Sequence, residues 1–244
     1  MDELLNQVLH AHGGLDNWST VTTLTAKLSL GGPFWELRGW PGIYDNSTAE
    51  LHAHRQHIVF NPFTTPDRKS VLDVEPQRVA ILSADGDVVD ERENPRESFP
   101  LPFELTTPWD ALQVAYFSSY ANWNYLTTPF LFTYPGVESS EVDPWDEDGE
   151  TWRRLEVTFP ESIATHNREQ FFYFDSDYML RRMDYSPDVT GASLVAHYAY
   201  DHQEFDGFIF PTKRDVHHRN AEGIADKSQA GITITIDPVA VQRG

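Results

Sequence analysis

Apolar residues in the second half of the chain recur at every other position, in short runs divided by turn signals. Phe172 and Phe174, then Leu194, Ala196, Tyr198 and Tyr200, then Phe208 and Phe210 form such rows, and DSD, SPDVTG and DHQEFDG separate them. Successive side chains of a strand point to opposite faces, so the stretch 171–218 reads as antiparallel strands on short connections. The alternate positions are only partly polar, with Val195 and Ala199 beside His197 and Ile209 beside Lys213. This predicts a sheet covered on one side and lightly wetted on the other.

The same reading extends along the chain. Leu4, Leu5, Val8, Leu9 and His12 repeat at helical spacing, and Gly13-Gly14 ends a short N-terminal helix. Leu24, Ala26, Leu28 and Leu30 alternate with Thr23, Thr25, Lys27 and Ser29 in a first strand. PFWELRGWPG then reads as a second strand, AELHAHRQHIVF as a third and RVAILS as a fourth, which Ala84-Asp85-Gly86-Asp87 turns into VVDERE. After a proline-rich charged loop over Asn94 to Pro102, a helix is predicted over 107–120, with Thr107 as N-cap and Pro108 at the first helical position. ANWNYLTTPFLFTYPG is expected to be irregular, and Ser139 to Glu150 an acidic loop. WRRLEVTFP and the terminal GITITID add strands, for about ten in all with two helices. The fold class is mainly β (α+β), and no linker divides the chain, so one domain over 1-244 is expected.

Charge narrows the partners. Lys and Arg total 18 against 38 Asp and Glu, a net charge of −20. Such a surface repels phosphate backbones and anionic head groups, so neither nucleic acid nor a peripheral membrane is an expected partner. Cysteine is absent, which removes disulfides, thiolate metal sites and a cysteine nucleophile. MDELLNQVLHAHGG has neither the basic start nor the apolar stretch of a signal peptide, and no run approaches the ~18 apolar residues of a membrane span. A cytoplasmic location is expected, a periplasmic one requiring a leader ahead of Met1.

HAHGGLDNW followed by an alternating strand, then MLRRMDYSP, AHYAYDHQEFDGFIFPTKRDV and ITITIDPVAV together resemble the LolA/LolB-like lipoprotein-carrier superfamily and its relatives of unassigned role. The resemblance implies a strongly curved antiparallel sheet, half a barrel. Its open side would be covered by the N-terminal helix and by helix 107-120 as a lid, with an apolar cavity between. Proteins of this kind hold acyl chains or other hydrophobic molecules. The chain departs from the carriers in having no export signal and no lipid-anchor cysteine.

Candidate chemistry starts from the aromatic residues, 7 Trp, 10 Tyr and 15 Phe. Trp35, Tyr116, Tyr120, Trp123 and Tyr125 are expected where a lid meets the sheet, as walls of a pocket or as ordinary packing. His52 and His54, two apart on a predicted strand, would share a face and so a ligand, with His197, His202, His217 or His218 supplying a third group. No HExxH accompanies them, and no metal is expected. His54 or His197 beside Asp184 or Asp201 would make an acid–base pair, with Tyr198 polarising a carbonyl. Of Arg181 and Arg182, on opposite faces of a strand, one could meet a ligand carboxylate or both could be exposed. GxSxG, P-loop and GxGxxG are all missing, and no cofactor is expected.

The function expected is binding of a hydrophobic or aromatic small molecule, lined by Trp35, His54, Tyr116, Tyr120, Trp123 and His197. The alternative is a cofactor-free isomerase, cyclase or lyase with His54 or His197 as general base and Tyr198 beside it. A hydrolase using a metal on His52 and His54 is the third reading.

Overall fold

Thirteen strands form one antiparallel sheet in the computed structural model, which describes residues 2–244. They are β1 (Val21–Gly31), β2 (Tyr44–His52), β3 (His57–Asn61), β4 (Arg68–Val74), β5 (Gln77–Ser83), β6 (Val88–Glu93) and β7 (Glu138–Glu147). β8 (Glu150–Thr158), β9 (Glu169–Phe174), β10 (Leu180–Tyr185), β11 (Val195–Phe205), β12 (Phe208–His218) and β13 (Ile232–Arg243) follow. Helices α1 (Glu3–Ala11), α2 (Leu15–Trp18), α3 (Pro33–Leu37) and α4 (Ala111–Thr127), with 3-10 turns at Pro95–Ser98, Phe130–Thr133 and Asp188–Thr190, complete the elements.

The strand order is β6-β5-β4-β3-β2-β1-β13-β12-β11-β10-β9-β8-β7. Two meanders therefore meet where β1 pairs with β13, and the two free edges, β6 and β7, are neighbours in sequence. The connection between them has to cross from one edge of the open sheet to the other, and α4 lies in it. That helix packs on β3, β4, β5 and β6 in one half, while Tyr125 bonds Tyr185 of β10 and accepts from Arg214 of β12 in the other. One helix touching both halves means that the sheet curves around it, a half-barrel with α4 along its hollow. Sixteen of its seventeen residues are buried, polar ones included. Asn122 and Asn124 are held by the carbonyls of Ser118 (2.8 Å) and Ala164 (3.2 Å).

Several local expectations are corrected. α4 starts later than predicted because Asp110 and Gln113 form a reciprocal capping box, at 2.8 Å in both directions, and Arg92 of β6 grips the Asp110 carboxylate at 2.9 and 3.1 Å. It runs on to Thr127 because no glycine or proline interrupts it before Pro129. PFWELRGWPG, expected as a strand, holds α3, with Pro33 in its first turn. AELHAHRQHIVF breaks into β2 and β3, since Gln56 turns inward and bonds both the N–H and the carbonyl of Ala164 at 2.7 Å. Residues 139–150, expected as a loop, are mostly β7, and Asp148-Gly149, with φ of 52° and 85°, makes a tight hairpin into β8. β4 is a further strand that the sequence reading passed over.

The second face of the β8–β11 region is covered as well. Trp152, Tyr173, Ala196 and Tyr198 form a small core of their own, under the segment after β12 that carries Ala225. The row Ala196-Tyr198 thus faces away from α4, and Val195, His197 and Ala199 face the hollow.

Candidate functional site

An apolar cleft opens where the loop 99–107 passes over the end of β10–β13. Phe34 of α3 and Phe117 of α4 form one wall, Phe103 and Leu105 of the loop the cover, and Tyr185, Val195, Val216 and Ile232 the floor. Its volume is about 80 Å³. That is room for a few carbon atoms, against roughly 300–1,000 Å³ for sites that hold drug-sized ligands. The cover is built to shield apolar surface while showing some itself: Leu101 is 79% and Leu105 52% exposed.

Arg38 anchors the cover. Its guanidinium donates to the carbonyls of Thr107 (2.7 Å) and Glu104 (3.2 Å) and lies between the rings of Phe34, Phe103 and Trp109, 4.8–5.1 Å from their centres. From the other side Gly191 lets the Phe103 ring approach, since a Cβ there would stand 2.8 Å from that side chain.

Behind the floor runs a buried polar chain. Tyr120 Oη is 3.1 Å from His166 Nδ1, His166 Nε2 is 2.7 Å from Tyr125 Oη, and Tyr125 Oη is 3.2 Å from Tyr185 Oη. Tyr185 Oη in turn is 3.1 Å from His197 Nδ1, and His197 Nε2 is 3.5 Å from Arg214. The rings of His166 and Tyr185 stack at 4.0 Å. Burial, with Arg96 nearby, pushes His166 down to about 3, and burial with Arg214 holds His197 well below the ordinary histidine value. Burial raises Tyr125 to about 12 and Tyr120 and Tyr185 well above the usual phenol range. Both imidazoles and all three phenols are thus neutral around pH 7.

The residues expected from the sequence are dispersed around this site. Trp35 packs between Phe34, Tyr44 and Phe117, behind the wall of the cleft. Tyr116 adjoins Tyr120, Tyr120 is one end of the polar chain, and His197 is its link to Arg214 at the other. Trp123 and His54 line a separate groove of about 210 Å³ with Tyr134 and Gln56. His54 lies beyond the end of β2, so it does not share a strand face with His52. His57 comes nearer: across the turn its ring is 5.1 Å from that of His52, and its Nδ1 is 2.6 Å from Asp73. No group of three or more His, Asp or Glu gathers as a metal cage among the described residues.

His197 and Asp184 occupy opposite faces of the sheet, as do His197 and Tyr198, because adjacent positions alternate. Asp184 bonds Arg182 at 2.6 Å and Tyr173 at 3.0 Å instead. Arg182, expected to be exposed or ligand-binding, is fully buried and also bonds Glu147 at 2.6 Å. Tyr198 Oη donates to Glu147 at 2.5 Å. The cleft residues Phe34, Phe103, Leu105 and Phe117, and the buried Tyr185, His166 and Arg214, were not among the site residues expected from the sequence. Only the leucines of LPFEL, in a loop otherwise polar and proline-rich, carried a visible signal.

No protein-family model matches the sequence, and no curated protein matches it. Among solved structures, a DUF1329 family protein from Desulfovibrio piger matches with a TM-score of 0.52 and 12% identity, over 99% of this chain and 92% of that one. A putative outer membrane lipoprotein-sorting protein domain from Vibrio parahaemolyticus aligns more loosely, with a TM-score of 0.45 and 8% identity, over 99% of this chain and 92% of that one. A LolA superfamily protein from Nitrosomonas europaea does so with a TM-score of 0.43 and 9% identity, over 97% of this chain and 93% of that one. The curved antiparallel sheet with a helix along its hollow that the resemblance implied is the one the chain adopts, and at these identities the likeness is one of fold alone.

Proposed function

We propose that the protein binds a hydrophobic small molecule in the cleft between the loop 99–107 and β10–β13. The lining carries this reading: Phe34, Phe103, Phe117, Val195, Val216 and Ile232 offer nearly continuous apolar surface that remains open to water. Covering such surface contributes about 25 cal/mol per Å². A ligand larger than a few carbon atoms enters by lifting the loop, whose exposed Leu101 and Leu105 then have an apolar partner. No helix among the described residues is long and apolar enough to cross a membrane, and a cytoplasmic location belongs to the same proposal.

The reading as an acid–base enzyme has less behind it. His197 is neutral with both ring nitrogens engaged, and Tyr198 stands on the far side of the sheet.

Titration with aminoanthracene, followed by its fluorescence, tests the proposal. Saturable binding is expected, weakened about tenfold or more by Val216→Trp or Ile232→Trp, which fill the cleft. Ile163→Trp, in the separate groove beside Trp123, leaves it unchanged. A wild-type protein without saturable binding would sink the reading.

A further inference from the structure

We propose that the ligand of this cleft is an amphiphile with one negative charge, a long-chain monocarboxylate, and that Arg214 attracts its head. The proposal rests on the cleft reading above and adds the chemical class of the ligand.

Arg214 is 1% exposed. No carboxylate pairs with it among the described residues. Its guanidinium reaches the carbonyl of Tyr125 at 3.3 Å, Nε2 of His197 at 3.5 Å and the sulfur of Met183 at 3.6 Å, and Nε has no partner. Every one of those contacts is long for a charged donor. A buried cation left this way is costly unless an opposite charge arrives.

Of the two other fully buried arginines, one is paired with carboxylates, and the other, Arg38, whose Nε and Nη2 also lack partners, is surrounded by aromatic rings. Arg182 has the carboxylates of Asp184 and Glu147. Arg38 lacks a carboxylate but has three aromatic rings and two carbonyls, and its role is to hold the loop. Arg214 has one ring, that of Tyr125, and one carbonyl.

Its position leads to the cleft. Arg214 and Val216 share a face of β12, and Val216 is part of the floor. His197 lies directly across from Val216 on β11. An arginine only donates, so His197 Nε2 accepts from it and Nδ1 carries the proton that is donated to Tyr185 Oη. The hydroxyl of Tyr185, a residue of the floor, is thereby left to donate, to Tyr125 Oη at 3.2 Å or to a carboxylate that takes that place. The positive charge thus stands two hydrogen bonds behind a residue of the cleft floor, and one negative charge drawn toward it would be its counter-ion. Burial lowers Arg214 only to about 10, so it stays charged around pH 7, and the neutral His197 brings no second cation.

Calorimetric titration with decanoate and with decanol, the same chain with and without the charge, tests this. The wild type is expected to bind decanoate at least about tenfold more tightly, the worth of one charged hydrogen bond. In Arg214→Met the ratio falls to about one, whereas Arg181→Ala keeps it. A register shift in β10 puts this half-exposed arginine on the outer face over Trp152, the same face as Arg182 and not the opposite one expected from alternation. Arg214→Lys, which retains the charge, also keeps a preference, and it serves if the methionine variant does not fold. Equal affinities in the wild type, or a preference that survives Arg214→Met, would overturn the inference and leave the cleft reading standing. Binding of neither compound would overturn both.

Discussion

Tyr125 and His166 meet through a hydrogen bond of 2.7 Å between Oη and Nε2, which ties α4 to the segment between β8 and β9. The phenol also bonds Tyr185, so one oxygen joins the helix to both the segment and β10. Tyr125→Phe keeps the ring and strands a buried imidazole nitrogen. A loss of about 1–3 kcal/mol in urea unfolding is expected. A change near zero would mean that the chain of phenols and imidazoles contributes little to stability.

Buried neutral histidines make the fold sensitive to acid. Burial lowers His12 to about 4 and His166 to about 3, and holds His197 well below its ordinary value. The unfolded chain takes up these protons first, so stability declines as pH falls below about 6.5, by about 1.4 kcal/mol per pH unit for each histidine. Denaturation midpoints at about pH 7 and about pH 5 should differ markedly, with a smaller gap in His166→Gln. Equal midpoints in the wild type would contradict this.

On the opposite face the ions are paired. Burial alone would raise Glu147, but hydrogen bonds from Lys227, Tyr198, Trp145 and Arg182 outweigh it and bring it to about 2. Its share of stability, about 1–3 kcal/mol, is present above about pH 4.5 and lost as pH falls toward about 2. Glu147→Gln should remove that limb of the acid transition. Arg182→Ala, which leaves the buried Asp184 with Arg219 and the partly buried Glu147 with Lys227 as their remaining cations, should cost about 2–4 kcal/mol at neutral pH. Calorimetric melting of both variants is the measurement, and a near-wild-type Arg182→Ala would show that Arg219 and Lys227 suffice to hold the two carboxylates.

Two glycines with similar backbone separate strain from collision. Gly32 has φ +97° and a Cβ there would fall 2.4 Å from the carbonyl oxygen of Gly231, whereas Gly86 has φ +92° with nothing within 4 Å. Gly86→Ala should cost about 1 kcal/mol and Gly32→Ala about 2–4 kcal/mol, read from chemical unfolding. Similar losses would mean that α3 shifts to make room.

The loop over the cleft should loosen without Arg38. Arg38→Met removes two hydrogen bonds to the carbonyls of Glu104 and Thr107 while keeping much of the packing. Hydrogen exchange over 99–107 should quicken about tenfold, with the strands beneath unchanged. Exchange that quickens throughout the sheet would mean that Arg38 supports the core as a whole.

The periodic stretches were legible because a strand announces itself locally. Alternation located β1, β8, β12 and β13, and the helical spacing of the N-terminus located α1. The same local rule misread PFWELRGWPG, where Gly32 and Pro33 start a helix, and it passed over β7, although Asp148-Gly149 is a hairpin signal. Histidine spacing misled for a related reason. His52 and His54 share a face only if the strand continues, and the inward turn of Gln56 ends it.

The sequence by itself determined the antiparallel strands, a helix between two groups of them, the acidic surface and the lack of thiol chemistry. Each of these depends on composition or on a repeat a few residues long. Only the tertiary structure decided that β6 and β7 are the free edges, that α4 must therefore fill the hollow, and which face of β10–β12 looks inward. The site is of this second kind. Tyr120, His166, Tyr185, His197 and Arg214 come from separate parts of the chain, and their contacts are set by register and curvature, which no local pattern records.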